Sequence, residues 1–128
     1  MHSPRGSTGT FRLFVYGTLK RGGSRHGPLA QQRFLGMAES APGYALFNLG
    51  DYPGLIHDEH SANRVQGELY EVACSLVDWL DAVEGSPDWF KLEPIALAGH
   101  DELVWAYFYQ SDPGDRPRIL EGRWEVPG

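Results

Sequence analysis

One cysteine, Cys74, stands among the 128 residues, so no disulfide forms within the chain and no zinc site is built on a cysteine pair. Long apolar runs are missing too: no stretch approaches the roughly 18 residues that span a bilayer. The opening Met1-His2-Ser3-Pro4-Arg5-Gly6-Ser7 holds no apolar segment of the signal-peptide type. The expected location is the cytoplasm, away from membranes. Basic charge is scarce as well. Eleven Lys and Arg stand against 17 Asp and Glu, a formal net charge of −6. A nucleic-acid partner, which needs clustered cations against phosphates, is therefore not expected. The one short basic patch is Lys20-Arg21 with Arg25, enough for a small anionic substrate. No Gly-x-Ser-x-Gly elbow and no Gly-x-x-x-x-Gly-Lys-Ser/Thr loop occur, so serine-hydrolase and nucleotide-phosphate chemistry have no support.

What is present describes an ordinary globule, with 41% hydrophobic and 22% charged residues. A chain of this length forms one domain and buries roughly two-thirds of its unfolded surface, without needing a metal or disulfide staple. Residues 1–10, small and polar, read as a flexible leader; residues 11–128 read as the domain. Sixteen glycines and nine prolines, scattered along the chain, favour short strands and turns over a helical bundle. Strands are expected near 11–16, 34–38, 44–49, 64–72, 90–97 and 102–109, the first buried on both faces or nearly so. A short helix is expected around Pro28 to Arg33, and Asp51-Tyr52-Pro53-Gly54 reads as a turn. The clearest helix carries Leu76, Trp79, Leu80 and Val83 at i, i+3, i+4 and i+7, a single apolar stripe. Ser75 with Asp78 resembles a capping box, and Gly85 before Pro87 supplies the stop. One principal helix among some six or seven strands makes the fold α+β with a curled or closed sheet.

Two places could carry chemistry. At Tyr16-Gly17-Thr18-Leu19 a buried strand breaks into a glycine-bounded loop, where successive N–H groups can converge on one anion. Thr18 adds a hydroxyl and Tyr16 a phenol; the bland alternative is a tight turn with Gly17 at positive φ. Glu84 lies in the last helical turn, where the negative end of the macrodipole and partial burial beside Val83 both raise a carboxyl pKa. That is the condition for moving protons near neutral pH. The bland alternative is a solvated glutamate. Asp78 and Asp81, off the stripe, are expected in solvent. Cys74 has no evident base and reads as a packing residue. His57-Asp58-Glu59-His60 lacks metal-site spacing and a third ligand, so no metal is expected there. Tyr107 lies on a late strand with Phe108 and Tyr109.

Taken together these pieces resemble the γ-glutamylcyclotransferase-like superfamily, particularly its γ-glutamylamine cyclotransferase and AIG2-like branch. The carrying residues are Leu13-Phe14-Val15-Tyr16-Gly17-Thr18-Leu19-Lys20-Arg21-Gly22, Tyr52-Pro53-Gly54-Leu55 and Val65 to Val72. Leu80-Asp81-Ala82-Val83-Glu84-Gly85, Trp105 to Tyr109 and Gly122-Arg123-Trp124 continue the match over residues 11–124. The resemblance implies a small mixed β-barrel with helices packed around it. It implies that Tyr16, Gly17, Thr18 and Leu19 line a substrate cavity, that Tyr107 joins them, and that Glu84 is the general acid/base. It further implies a γ-glutamyl amine as substrate, 5-oxoproline and a free amine as products, and no cofactor. Where such proteins often carry Tyr-x-Arg after the Glu-Gly, this chain has Trp89-Phe90-Lys91-Leu92. A non-catalytic module binding a small carboxylate in the same cavity is the competing reading. The leaving amine and the oligomeric state stay open at this level.

Overall fold

Strand β1, Thr10–Val15, is the centre of the molecule in a computed structural model that describes residues 3–125. Its neighbours are β5, Gln66–Ala73, antiparallel on one side, and β7, Val104–Tyr109, parallel on the other. β2, Arg33–Glu39, pairs with β5 at one edge, and β6, Phe90–Ile95, with β7 at the other, giving the order β2-β5-β1-β7-β6. β3, Tyr44–Asn48, and β4, Pro53–His57, form a separate antiparallel hairpin.

The expected barrel is not closed: the strands divide into sheets of five and two. The chain just past each edge strand meets at one bridge, Ser40 with Leu97. There Ala41 N–H donates to the Ala96 carbonyl at 2.9 Å, and Ala98 N–H to the Glu39 carbonyl at 3.0 Å. The contact does not spread along the edges. β2 is bulged between Phe34 and Gly36 and largely exposed, and β6 carries Pro94, a residue tolerated at sheet edges because it lacks an N–H.

Because successive side chains alternate across a strand, the central strands supply two cores. Leu13 and Val15, with Tyr70, Val72, Leu92 and Trp105, pack with Val77 and Leu80 of the helix. Phe14, with Leu69, Ala106 and Phe108, packs with Tyr44, Leu46 and Leu55 of the hairpin. β1 is thus buried on both faces, as its nearly unbroken apolar run predicts.

Two elements differ from expectation. β4 occupies part of the predicted turn, since a leading Pro and Gly disguise a five-residue strand that opens on its proline. The helix α1 is Val77–Glu84, preceded by a 3-10 turn at Cys74–Leu76, and no side chain caps its start, so the Ser75–Asp78 capping box does not form. Its buried stripe is Val77, Leu80 and Glu84, while Trp79 is 53% exposed. Counting apolar residues picks the neighbouring stripe because the true one ends in a carboxylate. The stop is as expected: Gly85 takes φ 65° and ψ 36°, and its N–H turns back to the Ala82 and Asp81 carbonyls. The expected short helix is a single 3-10 turn, Gly27–Leu29. Cys74 is buried in the helix-side core. Within the leader, residues 3–9 include the buried Pro4, and β1 starts at Thr10.

Gly17 does not occupy a positive-φ position. Its lack of a side chain matters because a Cβ there would sit 2.6 Å from Pro53 Cγ of β4. A branched side chain must push the hairpin away from the end of β1. Gly17→Val is therefore expected to destabilise the fold by about 1–3 kcal/mol, the usual range for overpacking. Urea unfolding of the variant beside the parent checks this; an unchanged midpoint would show that the hairpin yields freely.

Candidate active site

Past Val15 the chain leaves the sheet and folds back on itself. Lys20 N–H donates to the Gly17 carbonyl at 3.0 Å, and Arg25 N–H to the Thr18 carbonyl at 2.9 Å. The carbonyls of this loop are thus used internally. Among the described residues, the N–H groups of Gly17, Thr18 and Leu19 donate to no backbone or side-chain acceptor. Three successive unpartnered donors just past a buried strand are the kind of groups that hold an anion where they converge.

Glu84, 8% exposed at the end of α1, lines the same cleft as these residues. Burial pushes its carboxyl above the ordinary glutamate range, while Arg25 opposes the rise by charge and hydrogen bond. Arg25 Nη1 donates to Glu84 Oε2 at 3.1 Å, and its guanidinium carbon lies 5.1 Å from the centre of the Tyr52 ring. One ion pair therefore fastens the loop after β1 to the end of the helix.

Two tyrosines complete the wall. Tyr16 donates its phenol to the Tyr107 carbonyl at 2.6 Å, and Tyr107 donates its own to Asp81 Oδ1 at 2.8 Å. Burial, followed by the nearby carboxylates, raises both phenols above the ordinary tyrosine value, so both stay protonated. Asp81 is held in turn by Arg5, whose Nη2 lies 2.7 Å from Oδ2. The expectation that Asp81 is solvated is thus corrected: one turn before Glu84, it faces the same side of the helix and orients Tyr107. Asp78 is exposed, as expected.

Tyr16, Gly17, Thr18, Leu19, Glu84 and Tyr107 all line one cleft, together with Arg25, Tyr52, Pro53 and Phe90. Its empty volume is ≈ 330 Å³ counting the open mouth. The cleft is a narrow, largely apolar slot with a few polar groups aimed into it.

The basic patch does not act as a unit. Lys20 is buried and donates its Nζ to the Trp124 carbonyl at 2.6 Å. Arg21 binds Glu68 through its backbone N–H at 2.9 Å and its Nε at 3.3 Å, and lies 4.0 Å over the Phe34 ring. Only Arg25 reaches the cleft. Its pairing with Glu84, 59 positions away, has no local sequence signal. Tyr52 belongs to a quoted motif, but its place in the wall depends on the missed strand β4. His57 stacks on Phe108 at 4.2 Å between ring centres and lies 3.2 Å from Glu93, outside the cleft. Among the described residues no three His, Cys, Asp or Glu gather as a metal site, and no helix is long and apolar enough to cross a membrane.

A family model described as "Gamma-glutamyl cyclotransferase, AIG2-like" matches residues 13–126. The chain is 37% identical over 112 residues to a "Putative gamma-glutamylcyclotransferase" of Vibrio cholerae serotype O1, covering 88% of this chain and 93% of that one. It is 33% identical over 109 residues to Gamma-glutamylaminecyclotransferase B of Danio rerio, covering 76% and 57% respectively. An AIG2-like protein of Mus musculus has the same fold, with a TM-score of 0.80 at 23% identity over 93% of this chain and 90% of that one. By the extent of the family match and by these relatives, the chain belongs to the gamma-glutamyl cyclotransferase, AIG2-like family.

Proposed function

We propose that this protein is a γ-glutamyl cyclotransferase that converts a γ-glutamyl amine to 5-oxoproline and a free amine. The observation that carries the reading is the buried Glu84 carboxyl in the lining of one narrow cleft shared with a loop of three unpartnered N–H groups. In such a substrate the α-amine nitrogen reaches the γ-carbonyl carbon, so the new C–N bond closes a five-membered lactam. The amide C–N bond then breaks, and the leaving amine takes a proton. The protein supplies no nucleophile. Its tasks are to hold the anionic end of the substrate, to fold the chain toward attack, and to move one proton.

The Gly17, Thr18 and Leu19 N–H groups suit the carboxylate or the oxyanion that forms at the carbonyl. Glu84 takes the proton from the attacking amine and returns it to the leaving nitrogen. Tyr16 and Tyr107, both held protonated and both donating to protein oxygens, are walls and donors rather than bases. The chemistry calls on no cofactor. The second reading, a module that binds a small carboxylate without turnover, is favoured by the Arg25–Glu84 pair, which engages one carboxylate oxygen.

Glutamine in place of Glu84 keeps shape and an acceptor but carries no proton. Glu84→Gln is expected to retain the fold and ligand binding while 5-oxoproline release falls at least about a hundredfold. Asp78→Asn, on the exposed side of the helix, is expected to run near the parent rate. Mass spectrometry of 5-oxoproline over a panel of γ-glutamyl amines and peptides measures both. Binding across the panel without product from the parent protein establishes the non-catalytic module instead.

The pH dependence follows from the same carboxyl. General-base action needs Glu84 ionised, and burial raises its pKa, so the acidic limb of kcat/KM should lie above the ordinary glutamate value of 4.5. Arg25 favours the ionised form. Arg25→Gln should therefore move that limb to still higher pH, and a limb that stays put would separate it from Glu84.

A further inference from the structure

We infer that Arg5, in the segment before β1, is a positioning residue of the site: it holds Asp81, and Asp81 holds the Tyr107 ring in the cleft wall. The leader thus takes part in a site that forms only after β1 ends. Arg5 also stands outside the family match, which begins at Leu13. The inference rests on the cyclotransferase reading for its effect on turnover, and adds to it a residue that touches no substrate.

The segment forms a turn of its own. Ser7 N–H donates to the Pro4 carbonyl at 3.2 Å, the Ser7 hydroxyl to the Ser3 carbonyl at 2.9 Å, and Arg5 N–H to Ser3 Oγ at 3.2 Å. Pro4 is buried, and Cys74 N–H donates to the Gly9 carbonyl at 2.9 Å, tying the segment to the start of the helical region. This turn carries the Arg5 side chain to α1. There its Nη2 lies 2.7 Å from Asp81 Oδ2 and 3.5 Å from Ser86 Oγ.

The backbone of Tyr107 is fixed in β7, opposite Leu92, and by the Tyr16 phenol on its carbonyl. The position of the ring tip is left to its phenol, which donates to Asp81 Oδ1 at 2.8 Å. The other carboxylate oxygen, Oδ2, belongs to Arg5. The Asp81 side chain is 16% exposed and that of Arg5 41%. A carboxylate so placed regains hydration by turning toward water, unless a cation holds it over the phenol. Arg5 is that cation, and among the described residues Asp81 has no other. A surface ion pair contributes little to stability by itself, so the importance of this one lies in the phenol on the second oxygen. Glu84 follows three positions later on the same side of the helix, close enough for its charge to act on that phenol. A ring that drifts therefore alters the wall beside the acid/base.

The test reads Tyr107 directly and then through turnover. In protein isotope-labelled at tyrosine Cζ, the Tyr107 carbon resonance is identified by its loss in Tyr107→Phe. It is expected to shift in Arg5→Gln and to return toward the parent position in Arg5→Lys, whose ammonium can replace the one nitrogen in contact with Asp81. Release of 5-oxoproline from γ-glutamyl amines is expected to fall about tenfold in kcat for Arg5→Gln, the scale of coupling within one hydrogen-bond network, and to recover in Arg5→Lys. In Tyr107→Phe, which has no phenol to hold, adding Arg5→Gln is expected to cost no more than about twofold further. A general loss of stability would lower both backgrounds alike. An unmoved resonance in Arg5→Gln overturns the inference, as does an unchanged kcat or an equal loss in the two backgrounds. If the parent protein releases no 5-oxoproline, the cyclotransferase reading falls and the resonance alone decides. A shift that Arg5→Lys reverses then keeps Arg5 as the residue that positions Tyr107, and an unmoved one removes it.

Discussion

The position of β1 between β5 and β7 is the constraint on which the rest depends. A strand with neighbours on both sides and cores on both faces has no solvent edge, so every residue from Phe11 to Val15 is fixed by pairing or packing. Where the pairing ends, the chain must leave the sheet. The loop that departs there starts between the helix-side core and the hairpin, with Pro53 pressed against Gly17. The parallel pairing of β1 with β7 brings Tyr107 to the same end, and the Tyr16 phenol closes the gap by donating to its carbonyl. The cleft is a consequence of where the central strand stops.

The second constraint is electrostatic. Placing a carboxylate on the buried stripe of α1 forfeits much of its hydration, a loss that neighbouring charge must offset. Arg25 supplies that charge from the loop, so the residue that stabilises Glu84 also pins the loop to the helix. Asp81 is treated similarly one turn earlier, with the Tyr107 phenol on one oxygen and Arg5 on the other. Two carboxylates on one helical face thus hold three separate segments: the leader, the loop after β1 and strand β7. Only Glu84 among the two lines the cleft. Asp81 acts through the ring it orients.

The remaining cations are withdrawn from the site for equally physical reasons. Lys20 and Arg21 are adjacent to the loop in sequence, yet each has a nearer partner. Glu68 is buried next to the Tyr70 phenol, which donates to it at 3.0 Å, and Arg21 completes its neutralisation. The consequence is a cleft with one positive group, Arg25, already facing one negative group. A site of that kind discriminates by where a ligand places its own charge rather than by gross attraction.

Much of this was legible beforehand because it is local. The burial of β1 on both faces, the break at Gly17, the helix stop at Gly85 and the candidacy of Glu84 follow from runs of a few residues. The quoted motifs contain Tyr16 to Leu19, Tyr52, Pro53, Glu84 and Tyr107 of the cleft lining, but not Arg25. Other features were hidden because they are not local. β4 was hidden behind Pro53-Gly54, whose turn chemistry outweighs three following strand residues until a partner strand, β3, is present to pair with them. The true helix stripe was hidden because a glutamate cannot be counted as apolar, although tertiary packing buried it and left Trp79 outside. Closure was also undecidable from local pattern, since it depends on whether two distant edges pair along their length or touch only at Ser40 and Leu97. The sequence by itself determined most of the strands, the principal helix with its stop at Gly85, and which side chains have the chemistry for a proton and an anion. Tertiary structure alone decided which charges face each other. Ion pairs such as Arg25 with Glu84 and Arg5 with Asp81 join segments that only the folded sheet brings within reach.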